Sequence, residues 1–235
     1  MNTSTRFIRL AVRCCAPALL LASAALCAQQ IETVSADGID INLTVPADYC
    51  KLTRASAFGK SQYDIHERMQ TGKNRVLLMF VACDDLARIE KGQPNNGMQR
   101  FGVFMAPLSE GKVGRMPPSL SRAEAIAELA KSMPALNVDD VSKRAQSTLG
   151  REGVAVDKLV IGLLETDANA MYFGLAGNFG VKAAKPIRMW CVASMTLINH
   201  VLVSELLYSE PDKAAPFKTL LAAQKINAAQ WIKAN

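Results

Sequence analysis

Two apolar runs span Arg188 to Tyr208 and meet at Asn199 and His200, and their pattern predicts a β-hairpin at the centre of the fold. Strand side chains alternate between faces. Met189, Cys191, Ala193, Met195 and Leu197 therefore point one way, and Trp190, Val192, Ser194, Thr196 and Ile198 the other. Both faces are largely apolar, so the sheet that holds this hairpin is expected to be covered on both sides, by helices. The return run places Val201, Val203 and Leu207 on one face and Leu202, Leu206 and Tyr208 on the other. Asn199 tolerates positive φ and suits the turn.

Period-two alternation is clearest at Ile39, Ile41, Leu43 and Val45 against Asp40, Asn42 and Thr44. With Ile31–Ser35 and a turn at Ala36, Asp37 and Gly38 it reads as a second hairpin, stopped by Pro46 and lying nearer a sheet edge. Lys51–Lys60 carries no regular signal. Residues 62–71 fit a helix through Ile65 and Met69, closed at Gly72, and also fit strand alternation; the helix is the expectation. Arg75–Cys83 reads as a buried strand, Asp84–Lys91 as a short helix with acids at its start, and Phe101–Ala106 as another strand.

Pro107–Pro118, rich in Gly, Pro and charge, reads as an exposed loop. Ser121–Glu124 is a capping box opening a helix over 121–133, and a second helix is expected over 138–149, capped by Asn137. Val154–Leu164 and Ala170–Asn178 pair as strands, and Gly180–Pro186 is a basic loop. A terminal helix over 214–234 presents Phe217, Leu220, Leu221 and Trp231 to the sheet, with a restart possible at Asn227 and Gln230. No repeat and no linker composition divides residues 29–235, which predicts a single α+β domain. Its sheet is mainly antiparallel, built around the hairpin 188–208 and covered by helices 121–133, 138–149 and 214–234.

The first 28 residues change where this domain is expected to act. Arg6, Arg9 and Arg13 precede an uncharged apolar run, Cys14–Leu26, that closes on small residues near Ala28, which is the layout of a secretory signal peptide. Cleavage near Ala28 predicts export, to a bacterial periplasm. No later stretch is long and apolar enough to span a bilayer; Val154–Leu164 is broken by Asp157 and Lys158. Loss of the three arginines, with no acid among them, lowers the formal charge of the 235-residue chain from +6 to +3. So mild a charge argues against nucleic acid as a partner.

Cleavage also removes Cys14, Cys15 and Cys27 and leaves Cys50, Cys83 and Cys191. An oxidising compartment then favours one disulfide, with three pairings open. Cys50 with Cys83 is preferred because both fall where a strand gives way to a loop, and Cys191 reads as a buried small hydrophobe.

The strand ending in proline, IDINLTVPADYC (residues 39–50), the closing hairpin and the C-terminal helix together resemble the layout of the Mog1/PsbP-like α/β/α sandwiches. The resemblance implies an accessory or binding role and carries no catalytic residue to this chain.

Tests for chemistry remove most specific activities. His66 and His200 have no second ligand type at metal-site spacing, and neither CxxC nor HExxH occurs. His200 reads as a turn residue, and His66, among Asp64, Glu67 and Arg68, as part of a solvated helix face. No GxSxG elbow is present. Cys83 is followed by Asp84 and Asp85, whose charge blunts a thiolate. Gly59-Lys60-Ser61 lacks the strand and spacing of a phosphate loop, and Gly174, Gly177 and Gly180 read as a strand end and bend. Asp84 with Asp85, and Asp139 with Asp140, read as helix-start charges rather than dyads. Lys112 with Arg115, and Lys182, Lys185 and Arg188, are basic loop groups that read as solvated.

No catalytic, metal-binding or cofactor-binding residue is assigned. The leading expectation is an exported, non-enzymatic domain that binds an envelope protein or a small ligand. An envelope hydrolase assembled from distant loops and a structural accessory subunit are the other readings.

Overall fold

A computed structural model describes residues 29–93, 98–132, 146–147, 150, 154–181, 187–209 and 216–235. The N-terminal segment 1–28 and nearly all of the expected helix 138–149 lie outside these residues, as do Asp139, Asp140, Lys182 and Lys185.

The main sheet is antiparallel, with the strand order β3-β4-β5-β10-β9-β8-β7. Its strands are β3 (Tyr49–Lys51), β4 (Asn74–Ala82), β5 (Arg100–Ser109), β7 (Val154–Thr166), β8 (Met171–Val181), β9 (Ile187–Ile198) and β10 (Val201–Ser209). The short β6 (Lys112–Val113) pairs with β5 off this path. The fold is α+β, and the β9–β10 hairpin is at its centre. Asn199 and His200 turn it with φ of 48° and 64°, the left-handed pair that matches the right-handed twist of adjoining strands. Val201 pairs with Ile198, and the register runs on to Ser209 opposite Trp190.

Both faces of the sheet are covered. Helix α4 (Pro216–Lys233) packs on β9 and β10 and also touches β2. Beside it sits a separate two-stranded sheet, β1 (Gln30–Ala36) with β2 (Ile39–Val45). The period-two stripe of β2 is buried against the main sheet in one core with Leu78, Phe80, Phe104 and Trp231. The early hairpin is therefore a covering layer and not an edge of the main sheet. It is fastened at its outer side by the residues after α4, where Asn42 N–H donates to Asn235 Oδ1 (2.9 Å) and Asn42 Nδ2 to Ala234 O (2.8 Å). Helix α1 (Ala57–Gln70) packs on β4, and Tyr63 shares a second core with Met79, Val81 and Val103. Helix α2 (Cys83–Glu90) follows β4, and α3 (Arg122–Ser132) packs on β9.

Residues 62–70 are helical, with Thr71 as the left-handed cap, but the helix begins earlier, at Ala57. Ser56 caps it, accepting from Gly59 N at 3.0 Å. Gly59, Tyr63 and His66 form its buried stripe, rather than Ile65 and Met69, because Gly59 passes so close to Thr53 that a Cβ would lie 2.1 Å from its carbonyl oxygen. The Ser121–Glu124 box forms as read: Ser121 N–H donates to Glu124 Oε2 (2.9 Å) and Glu124 N–H to Ser121 Oγ (3.3 Å). Pro107–Pro118 is not simply a loop. Its first residues extend β5, β6 follows a turn at Glu110 and Gly111, and Arg115 bridges to Val201. Helix α4 runs through Asn227 without a restart. Gly174 lies inside β8, where an added Cβ would meet the Phe217 ring at 2.9 Å, so it marks close packing rather than a bend.

Cys50 and Cys83 are joined by a disulfide that ties β3 to the start of α2, and Cys191 is a buried free thiol. In the chain-entropy picture, closing a separation of 33 residues stabilises the fold by roughly 3–4 kcal/mol. Reduction, or the Cys50→Ser/Cys83→Ser double variant, is expected to lower the unfolding free energy by about that amount in guanidinium titrations. Gly102 is needed for another reason: an added Cβ would sit 2.0 Å from Cζ of Phe80. Gly102→Ala is expected to cost about 1–3 kcal/mol in the same assay.

Candidate functional site

Parity along β10 places Glu205 on the same face as Val203 and Leu207, under α4, with no exposed surface. A carboxyl at the middle of the central strand needs donors, and α4 supplies three, spaced so that they share one helix face. Gln224 Nε2 donates to Glu205 Oε2 (2.9 Å), Trp231 Nε1 donates to the same oxygen (3.1 Å), and Asn227 Nδ2 donates to Oε1. No charged side chain accompanies these donors. Burial outweighs the three hydrogen bonds, and the Glu205 pKa is pushed up to about 8, so the carboxyl is largely neutral at pH 7.

Gln224 also reaches Ser194 Oγ (2.7 Å) and the Glu205 carbonyl (3.3 Å). Three oxygens thus crowd a nitrogen that carries two hydrogens, while Gln224 Oε1 is buried without a partner. A proton on the carboxyl relieves that crowding, because the neutral acid has a hydrogen of its own to give.

Alongside this cluster a groove of about 550 Å³ opens between α4, the ends of the central strands and the β2–β3 connection. Pro46, Ala47, Leu207, Leu220, Ala223 and Ile226 give it apolar walls, with Trp190 and Tyr49 contributing ring surface. Ile226, 63% exposed, is an apolar residue left in water on the rim. The charged lining residues, Arg100 and Asp48, neutralise each other at 2.8 Å, and Arg100 also holds Asp84 at 3.1 Å. Gln29, Asn227 and Gln230 add side-chain amides at one wall. The volume falls in the range of small-molecule sites, roughly 300–1,000 Å³.

Asn227 belongs to both places. It lines the groove and donates to Glu205, while its Oδ1 accepts from Thr44 Oγ1 (3.2 Å) and Gln29 Nε2 (3.4 Å).

The residues weighed in the sequence do not assemble here. His66 is not on a solvated face: it is 8% exposed, edge-on to the Phe101 ring, and burial lowers its pKa to about 4. His200 is exposed at the tip of the central hairpin, and Cys83 is in the disulfide. The lining of the groove includes none of the three. Asp85 is more than a helix-start charge. It is buried, pairs with Arg88, and accepts the backbone N–H of Gln99 (2.8 Å) and Arg100 (3.0 Å), which fixes the entry to β5. Gly59-Lys60-Ser61 lies within α1. Lys112, Arg115 and Arg188 are exposed. Among the described residues no three His, Cys, Asp or Glu side chains gather as a metal site, and no helix is long and apolar enough to cross a membrane.

The Glu205 cluster was not singled out from the sequence, although a signal existed. Glu205 has the parity of Val203 and Leu207 in an otherwise apolar return strand, and Gln224, Asn227 and Trp231 lie on one face of the terminal helix.

No family model matches this chain, and no curated protein matches it. Among solved structures it is similar to the solution structure of cyanobacterial PsbP (CyanoP) from Synechocystis sp. PCC 6803, at 13% identity and a TM-score of 0.42. The match covers 88% of this chain and 93% of that one. PsbP belongs to the group that the sequence layout resembles.

The titrating groups make the stability profile testable. Glu205 is raised from 4.5 to about 8, so its contribution is complete below about pH 4.5 and is lost as pH rises through about 8. His66 is lowered from 6.5 to about 4 and acts oppositely, its contribution being lost as pH falls through that window. The two slopes cancel between about pH 4.5 and 6.5, and Glu205 alone acts above. Unfolding free energy is expected to fall by up to about 1.4 kcal/mol per pH unit from pH 6.5 to 8. Glu205→Gln should flatten that limb in urea titrations at each pH.

Proposed function

We propose that this chain is an exported, non-enzymatic binding domain of the cell envelope that seats an uncharged apolar guest in the groove beneath α4. The observation that carries this reading is the character of that groove: apolar walls, an exposed Ile226 at the rim, and an Arg100–Asp48 pair that leaves no free charge among the described lining residues. Burial of apolar surface is then the main source of affinity, at roughly 25 cal/mol per Å², with the amides of Gln29, Asn227 and Gln230 orienting the guest. The basic and apolar layout of residues 1–28 supports export, and the Cys50–Cys83 disulfide suits an oxidising compartment.

The uncharged probe N-phenyl-1-naphthylamine is expected to bind saturably, with a rise in its fluorescence. Ala223→Trp, which fills the groove from an exposed helix position, should abolish the signal while circular dichroism stays unchanged. Equal binding by that variant would remove the groove from the account. For location, the full chain expressed in a bacterium is expected in the periplasmic fraction with Gln29 as its first residue, by terminal sequencing. An intact N-terminus in the cytosolic fraction would overturn export.

A further inference from the structure

Glu205 does not line the groove, yet Asn227, one of the three groups that hold it, does, and all three stand on the helix that forms one of the groove's walls. Helix α4 contributes Leu220, Ala223 and Asn227 to that wall, and the same helix is bound to the sheet by Gln224, Asn227 and Trp231 through a single carboxyl. Asn227 is common to both sets and is 3% exposed. Its amide has no spare orientation, because Nδ2 is committed to Glu205 and Oδ1 to Thr44 and Gln29. A change at the carboxyl therefore reaches the groove through one shared side chain and one shared helix.

We propose that occupancy of the groove is linked to the proton on Glu205: the groove takes its guest while the carboxyl is neutral and loses affinity when it ionises. This rests on the reading of the groove as a binding site.

The physical argument concerns what surrounds the carboxyl. From β9 it faces Ser194, from β5 Phe104, from β2 Thr44, and from α4 Gln224, Asn227 and Trp231. None of these carries charge. The titratable groups within electrostatic reach are the Tyr49 phenol on β3, the Tyr172 phenol on β8 and the Cys191 thiol on β9. All three are held protonated, mainly by their own burial and in part by the carboxylate's charge. Among the described residues no cation bonds the carboxyl: Arg100 of β5 is engaged with Asp48 and Asp84, and Lys225 of α4 with Glu165.

When the proton leaves to water, the charge left behind lacks the solvation it had as a free group, and the available relief is water. Water reaches the carboxyl if α4 lifts from the sheet. A guest that touches both α4 and the strand ends binds the seated helix better than the lifted one. By reciprocity the guest holds the proton on Glu205 more tightly, to the extent that the proton favours the guest.

The experiment is a titration of the intact protein with N-phenyl-1-naphthylamine, which is uncharged from pH 6 to 9, in wild type, Glu205→Gln and Ala223→Trp. The expected result is a dissociation constant about fivefold or more higher at pH 9 than at pH 6 in wild type, and unchanged in Glu205→Gln. Identical pH profiles in those two proteins, whether flat or sloping, overturn the linkage. If Glu205→Gln fails to fold, hydrogen exchange of wild type decides, after correction for intrinsic rates. Loss of protection in α4 but not in α1 between pH 6 and 9, reversed by the probe, supports the linkage; equal α4 protection at both pH values overturns it. Binding that survives in Ala223→Trp removes the groove reading and the linkage together, whereas groove-dependent binding with no pH dependence removes the linkage alone.

Discussion

The structure depends on a carboxyl buried where carboxyls are most costly. Glu205 sits on the middle strand of the main sheet, with α4 directly above it. Removing such a group from water costs several kcal/mol unless it is neutral or well bonded, and here it is both. The donors that satisfy it come from one helix, at one rotation and one position along its axis, so the carboxyl sets how α4 is seated. Apolar contacts alone would tolerate a slide of the helix. Three hydrogen bonds converging on one carboxyl do not.

From that seating the second layer follows. With α4 in place, Trp231 stands edge-on to Phe104 at 5.5 Å, and Asn235, just beyond the helix, holds Asn42 of β2. The β1–β2 hairpin is thereby held between the sheet and the residues that follow α4. The groove arises in the same way: it is the space left where α4, the β2–β3 connection and the strand ends fail to close over Leu207 and Trp190. The groove and the buried acid are thus two results of one docking geometry, which is why chemistry at one is felt at the other.

On the opposite face the sheet is held by ordinary means. Tyr63 reaches through to donate to the Leu52 carbonyl (3.4 Å) and accept from Met79 N–H (3.0 Å), and His66 fills space against Phe101 as a neutral ring. The disulfide clamps the short edge strand β3, which has few residues with which to hold itself.

Much of this was legible before any tertiary contact was known, because it rests on local rules. Alternation marked the central hairpin and β2, Asn199 marked the turn, and SRAE marked the start of α3. Each depends on residues a few positions apart and on the chain's own stereochemistry. What the sequence could not determine is where distant segments meet. His66 carries a polar neighbourhood in sequence and an apolar one in space, because the stripe that docks α1 begins at Gly59. The alternation of β2 gives the face it buries, not whether its neighbour is the main sheet's edge or its surface. Glu205 was visible by parity, but its partners lie 19, 22 and 26 residues away on a helix. Only the docking of that helix turns a misplaced acid into the centre of the fold, since the energy that tolerates it belongs to the contact and to neither segment alone.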